Sequence, residues 1–178
     1  MTKLLIACAL LAAAGLSAPA AALPFSQADD CCEGDPTFRA GVADPRAYVI
    51  EMYRFYQAEP NGSSPNSGVA YSRRLRALVN AYDEWTRQHG ELVGALDFDW
   101  WTNAQDYSIS NVAVTKRNPS RSRRWIVARF DNYDRHDEVR FLFIRQGRRW
   151  YLDDAVHGSG RGAEGWTLSA LLRERPRP

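Results

Sequence analysis

Apolar residues recur at two different intervals along this chain, and the change of interval divides it. Tyr71, Leu75, Leu78, Val79, Tyr82 and Trp85 follow one another at threes and fours, the spacing of one helix face. Arg73, Arg74, Arg76, Asp83, Glu84 and Arg87 lie largely off that stripe and read as its solvated side. Ser67 or Ser72 suits the start as a cap, and Gly90 suits the end. An earlier helix begins at Asp44-Pro45, because Asp44 caps orphan amides and Pro45 needs no amide partner at the first position. Ala47, Ile50, Met52, Tyr53, Phe55 and Tyr56 give it an apolar surface. Pro60-Asn61-Gly62 stops it, and residues 61–68 read as a flexible loop.

Past Leu96 the helical interval is lost. Residues 97–107 mix aromatic and carboxylate groups without a period. Strand-like runs then take over at 109–115, 125–130, 139–145 and 150–156, with hairpin connections at 132–137 and 146–147. A glycine loop at 157–162 leads to Thr167 and a last apolar turn at Leu168, Leu171 and Leu172. Helices followed by an antiparallel meander predict an α+β domain. Its helices cover one face of a sheet of about four strands.

The first residues change the picture of where this domain works. Met1-Thr2-Lys3 is a short positive start, and Leu4 to Leu16 is an unbroken run of apolar and small residues. Ala18-Pro19-Ala20 and Ala20-Ala21-Ala22 both fit a signal-peptidase site. The run is short for a membrane span. The expected organisation is a signal peptide at 1–22, an arm at 23–43, one domain at 44–173 and a frayed tail at 174–178. The expected location is periplasmic or secreted, with no membrane span after cleavage. The formal net charge of +2 gives no bulk reason to expect nucleic acid or an anionic membrane as partner.

Cys31 and Cys32 are adjacent, so a disulfide between them would close no loop. A vicinal disulfide, a bond to another chain and two free thiols all stay open. No CxxC spacing exists to support a redox role, and Asp29, Asp30, Glu33 and Asp35 would raise a thiol pKa.

The remaining motifs point away from catalysis. His89, His136 and His157 show no metal-ligand spacing, so neither a metal nor another cofactor is expected. The acidic stretch from Asp131 to Glu138 lacks the glycine and terminal glutamate of a calcium loop and reads as a solvated turn. Gly158, Gly160 and Gly162 are followed by no lysine, and Ser159 has no base partner in the sequence. The basic stretch Lys116 to Arg124 reads as a long exposed hairpin loop. Arg121 and Arg123 are its candidates for meeting an acidic protein. Asn103, Gln105 and Asp106 stand just before a strand, where amide and carboxylate groups cap turns.

Three of these features occur together: the Asp-Pro helix start, Leu96-Asp97-Phe98-Asp99 followed by Asn103-Ala104-Gln105-Asp106, and Trp150 followed by Asp153-Asp154. In this the chain resembles the DUF3828 family of exported bacterial proteins, over about Asp44 to Leu172. Members of that family look like the wider NTF2-like group, in which helices pack into a curved antiparallel sheet to form a cone. The resemblance implies a fold and a compartment and carries no established activity. Asp99-Trp100 departs from the Asp-Pro of many members. On a cone, Asp99, Asn103, Gln105, Asp106 and Asp153 become candidates for a ligand or partner site at the mouth. Only one of Asp153 and Asp154 faces inward if the strand is regular. The expected function is a non-enzymatic binding protein of the bacterial cell envelope, of which an immunity-type protein binding a protein partner is one version. The alternative is a small-ligand carrier or a cavity enzyme, isomerase- or hydratase-like, that uses these carboxylates.

Overall fold

A computed structural model describes residues 40–59, 68–89, 95–118, 120–160 and 165–174. The expected signal peptide and cleavage site, Cys31, Cys32, the 61–67 loop, Gly90 and residues 175–178 lie outside the described residues.

Helix α1 spans Pro45–Ala58. The Asp44 carboxylate accepts from the Arg46 amide at 2.9 Å, and Pro45 holds the first position, as its sequence predicts. Its buried face is Val49, Met52, Tyr53 and Tyr56, a 3.6-residue stripe. That stripe is rotated from the expected one: Val49 joins it, while Ala47 and Phe55 face outward. Helix α2 spans Arg73–His89. Ser72 is its cap, with the hydroxyl accepting from the Leu75 amide at 3.1 Å. Leu75 and Tyr82 are buried, and Leu78 and Val79 are partly so. Tyr71 precedes the helix, and Trp85 stacks on His89 at its far end with ring centroids 4.7 Å apart.

The sheet that follows has five strands among the described residues, all antiparallel and in chain order. They are β1 (Ile109–Arg117), β2 (Arg123–Asn132), β3 (Arg135–Gln146), β4 (Arg149–Gly158) and β5 (Gly165–Thr167), with a last turn α3 (Leu168–Leu171). The fifth strand is one more than expected, because the stretch read as loop and turn pairs with β4 through three residues. The β2–β3 connection is also tighter than 132–137. Asn132 pairs with Arg135, leaving a two-residue turn in which Tyr133 takes φ 54°. The ladder therefore claims Asp137, which the sequence pattern assigns to a solvated turn.

Alternation along the strands places Ile126, Ala128, Phe130, Val139, Phe141, Phe143, Leu152 and Ala155 on the face that meets the helices. The interior between the layers is aromatic. Trp101 lies 4.6 Å from Phe141 and Tyr53 lies 5.0 Å from Phe130, centroid to centroid, within the favoured range for ring pairs. Tyr hydroxyls in this core reach polar partners: Tyr53 donates to the Trp101 carbonyl at 2.7 Å and Tyr107 to that of Glu59 at 3.2 Å. Burial pushes the Tyr53 phenol far up, with the nearby Asp99 and Asp137 charges adding to it. Trp101 Nε1 is buried and has no hydrogen-bond partner among the described residues.

The outer edge of β4 is closed at three places. Val42 and Trp150 exchange two backbone hydrogen bonds, Leu152 bonds Ala70 and Ser72, and β5 covers the end. Among the described residues no helix is long and apolar enough to cross a membrane.

Candidate functional site

In an antiparallel meander, the β1–β2 and β3–β4 connections share one end of the sheet, and the β2–β3 and β4–β5 connections share the other. The two ends differ in chemistry. At the second end the turn 99–104 closes by backbone bonds between Asp99 and Ala104 at 2.9 and 3.3 Å. Asp99 accepts from the Trp101 amide at 2.8 Å and from the Tyr56 hydroxyl at 2.7 Å, so it locks this turn to α1. The turn leaves Asn103 at φ 53°, a left-handed conformation that asparagine tolerates.

Asn103 reaches a network that the sequence reading missed. Trp166 Nε1 donates to Asn103 Oδ1 at 2.7 Å, which turns Asn103 Nδ2 toward Asp137, 3.4 Å from each carboxylate oxygen. His157 Nε2 lies 2.7 Å from Asp137 Oδ1, and Arg135 Nη2 lies 2.7 Å from Oδ2. The Asp137 side chain is 3% exposed. Burial, the largest influence, would raise its pKa. The His157 hydrogen bond, the charges of Arg135 and His157, and the Asn103 amide outweigh it and hold the carboxyl below its ordinary value. An ionised Asp137 requires the proton on His157 Nε2, so that nitrogen donates. Asn103 Nδ2, 3.0 Å from it, is then a second donor to the same carboxylate. Trp166 and His157 are register partners on one face of β4 and β5, and their rings lie 5.9 Å apart at 21°.

The other expected site residues separate from this network. Gln105 is exposed and donates to the Asp97 carbonyl at 3.2 Å, while the Asp106 side chain is exposed. Asp153 stands where the β3–β4 register shifts, so β4 is not regular there. Asp153 accepts from the Ser72 hydroxyl at 2.6 Å, and Arg74 bridges it to Asp154. Asp154 accepts from the Ser169 amide at 3.0 Å and hydroxyl at 2.6 Å. These two carboxylates tie β4 to α2 and α3. They do not join Asn103 in one mouth.

The first end of the sheet is cationic. β1 ends in Lys116-Arg117, Arg121 follows in the connection, and β2 opens with Arg123-Arg124. Across the sheet β3 ends at Arg145, and Arg148 and Arg149 open the next hairpin. Register joins the two groups: Arg123 pairs with Ile144, Arg145 with Trp150, and the Arg145 amide bonds the Ser122 carbonyl at 2.9 Å. All eight are exposed except Arg124, which is half-buried with its guanidinium 4.0 Å above the Trp150 ring. Among the described residues none of the eight pairs with a carboxylate. Of the sheet's acidic residues, Asp131, Asp137 and Glu138 lie toward the opposite end and are engaged there by His136, Arg135 and Arg129, while Asp153 and Asp154 on β4 are engaged by Arg74. Arg121 and Arg123 thus belong to a cluster that adds Arg145, Arg148 and Arg149 to the sequence stretch that suggested them.

Among the described residues no group of three or more His, Cys, Asp or Glu is placed to hold a metal ion. Comparisons with protein-family models, with curated proteins and with solved structures find no match.

Proposed function

We propose that this chain is an exported, non-enzymatic binding protein of the bacterial cell envelope. It engages an acidic protein partner through the cationic end of its sheet, and an immunity-type role is one version of this. One observation carries the reading: eight basic side chains gathered from four strand ends, with no carboxylate among the described residues to neutralise them. Like charges held together raise the free energy of the folded chain, so such a cluster fits a surface kept for an opposite charge. The signal-like start supports the compartment. The helix-on-sheet layering is compatible with the NTF2-like cone and DUF3828 membership that the motifs suggest.

A second reading, a small-ligand carrier or cavity enzyme, is favoured by the His157–Asp137 pair. A buried carboxylate there fixes an imidazole tautomer, as a general base needs. The packed rings of the interior favour the first reading, because a carrier needs open volume where Trp101, Tyr53 and Phe141 meet.

The test is retention from native envelope extract by the mature chain and by a triple variant, Arg121→Glu, Arg123→Glu and Arg148→Glu. The reading expects a protein that the wild type holds at low salt, releases at high salt, and rebinds when purified. The triple variant should lose it. Equal retention by both chains, or retention of nucleic acid instead of protein, would defeat the proposal.

A further inference from the structure

The face of the sheet turned away from the helices is not uniformly polar. Val127 is 3% exposed yet stands outside the core cluster, because its side chain points to this outer face. Trp125, Leu142, Ile144 and Tyr151 share that face and are half-buried. Register sets them side by side: Trp125 pairs with Leu142, and Ile144 pairs with both Arg123 and Tyr151. Arg117 pairs with Trp125 from the other side. The apolar patch therefore begins where the cationic end stops, with Arg117 and Arg123 on the seam. Trp, Tyr and Arg are the residues that dominate binding energy at protein interfaces, when they sit at a patch's centre.

We propose that the partner's contact surface continues from the cationic end onto this outer face. The partner then presents an apolar side chain ringed by Asp or Glu, with Trp125 as its anchor and Arg117 and Arg123 meeting the carboxylates. This rests on the reading of the chain as a binder of an acidic protein. A flexible polyanion or an anionic lipid surface needs the arginines alone. An acidic protein surface uses both halves, and the continuity of patch and charge is what favours it.

A photo-crosslinking residue in place of Leu142, in the otherwise native mature chain, reports what lies on the patch. The protein it traps is then purified and its affinity measured. Trp125→Ala should weaken binding about tenfold or more, and Tyr151→Ser should weaken it less. Crosslinks to residues 23–39 of the same chain, to a second copy of it, or to nothing would overturn the inference. So would binding of heparin or of phosphatidylglycerol vesicles that Trp125→Ala leaves unchanged. If charge reversal at Arg121, Arg123 and Arg148 abolishes partner binding while Trp125→Ala and the Leu142 crosslinker show no effect, the patch is excluded and the cationic reading stands. If neither set of changes alters binding, both fall. The crosslinker variant keeps the test decisive should Trp125→Ala fail to fold.

Discussion

Removing the Asp137 carboxylate tests how the sheet's acidic end is held together. In Asp137→Ala, His157 Nε2–H and the Asn103 amide both lose their acceptor. Leaving a buried donor unmatched costs about 1–3 kcal/mol. Arg135 is 53% exposed and can turn to water, so its share is small, about 0–1 kcal/mol. Together these place the loss near the roughly 3–5 kcal/mol seen when one partner of a buried pair is removed. In a domain of this size that is a fall in Tm of about 6–20 °C. Urea denaturation at pH 7 with a fluorescence readout measures it, since Trp166 belongs to the network. Asp137→Asn adds the sign of the charge. The folded pKa is depressed, so the stabilisation is fully present above the unfolded value of about 3.9 and is lost as pH falls through the folded value. The gap between wild type and Asp137→Asn should therefore be full at pH 6–7 and shrink below about pH 3.9. A denaturation midpoint for Asp137→Ala equal to wild type at pH 7, or a gap that widens in acid, would refute the account.

Three further outcomes follow from the same geometry. Asp99→Ala removes the acceptor of the Trp101 amide and of the Tyr56 hydroxyl, and should cost about 1–3 kcal/mol for each donor left buried, read by thermal unfolding. Leu75→Ala empties a fully buried position on α2 and should cost about 2–5 kcal/mol, whereas the partly buried Leu78 should cost less in the same assay. Gly165→Ala would drive a β-carbon into the His157 carbonyl, so β5 must part from β4; faster amide exchange at His157 and Trp166 is the expected sign.

The helix starts were legible because caps are local: Asp44-Pro45 and Ser72 lie next to what they cap. The strand centres were legible from alternation, but their ends were not. Asp137 continues the period of Val139, Phe141 and Phe143, and extending that alternation by one step puts a carboxylate on the buried face. Polar neighbours at Asp131, Asp134 and Glu138 hid it by making the stretch look like a turn. His157 was hidden by the glycines that follow it, and its partner stands twenty residues away on another strand. Asp153 and Asp154 were legible as a motif but not as a geometry, because the bulge in β4 is set by pairing with β3. The cationic end was half legible. Lys116 to Arg124 is contiguous, whereas Arg145, Arg148 and Arg149 join it only through the meander, a step that the predicted strand order already allowed.

Where a partner docks depends on which surfaces the fold leaves open. One sheet face is taken by α1 and α2. The β4 edge, which would otherwise offer unpaired amides, is closed by Val42, by Ala70 and Ser72, and by β5. At the opposite edge Arg46 Nε donates to the Val114 carbonyl at 3.0 Å, so a side chain from α1 engages one acceptor of β1. Pairing is thus closed along the β4 edge, while the β1 edge is engaged at one carbonyl. At the acidic end Asp131, Asp137 and Glu138 are engaged by His136, Arg135 and Arg129. The cationic end and the outer face beside it keep both unmatched charge and accessible aromatic surface. A partner that exploits both would lose its steering when Arg121 and Arg123 are reversed and its residence time when Trp125 is truncated. Association rates should therefore fall in the first case and dissociation rates rise in the second.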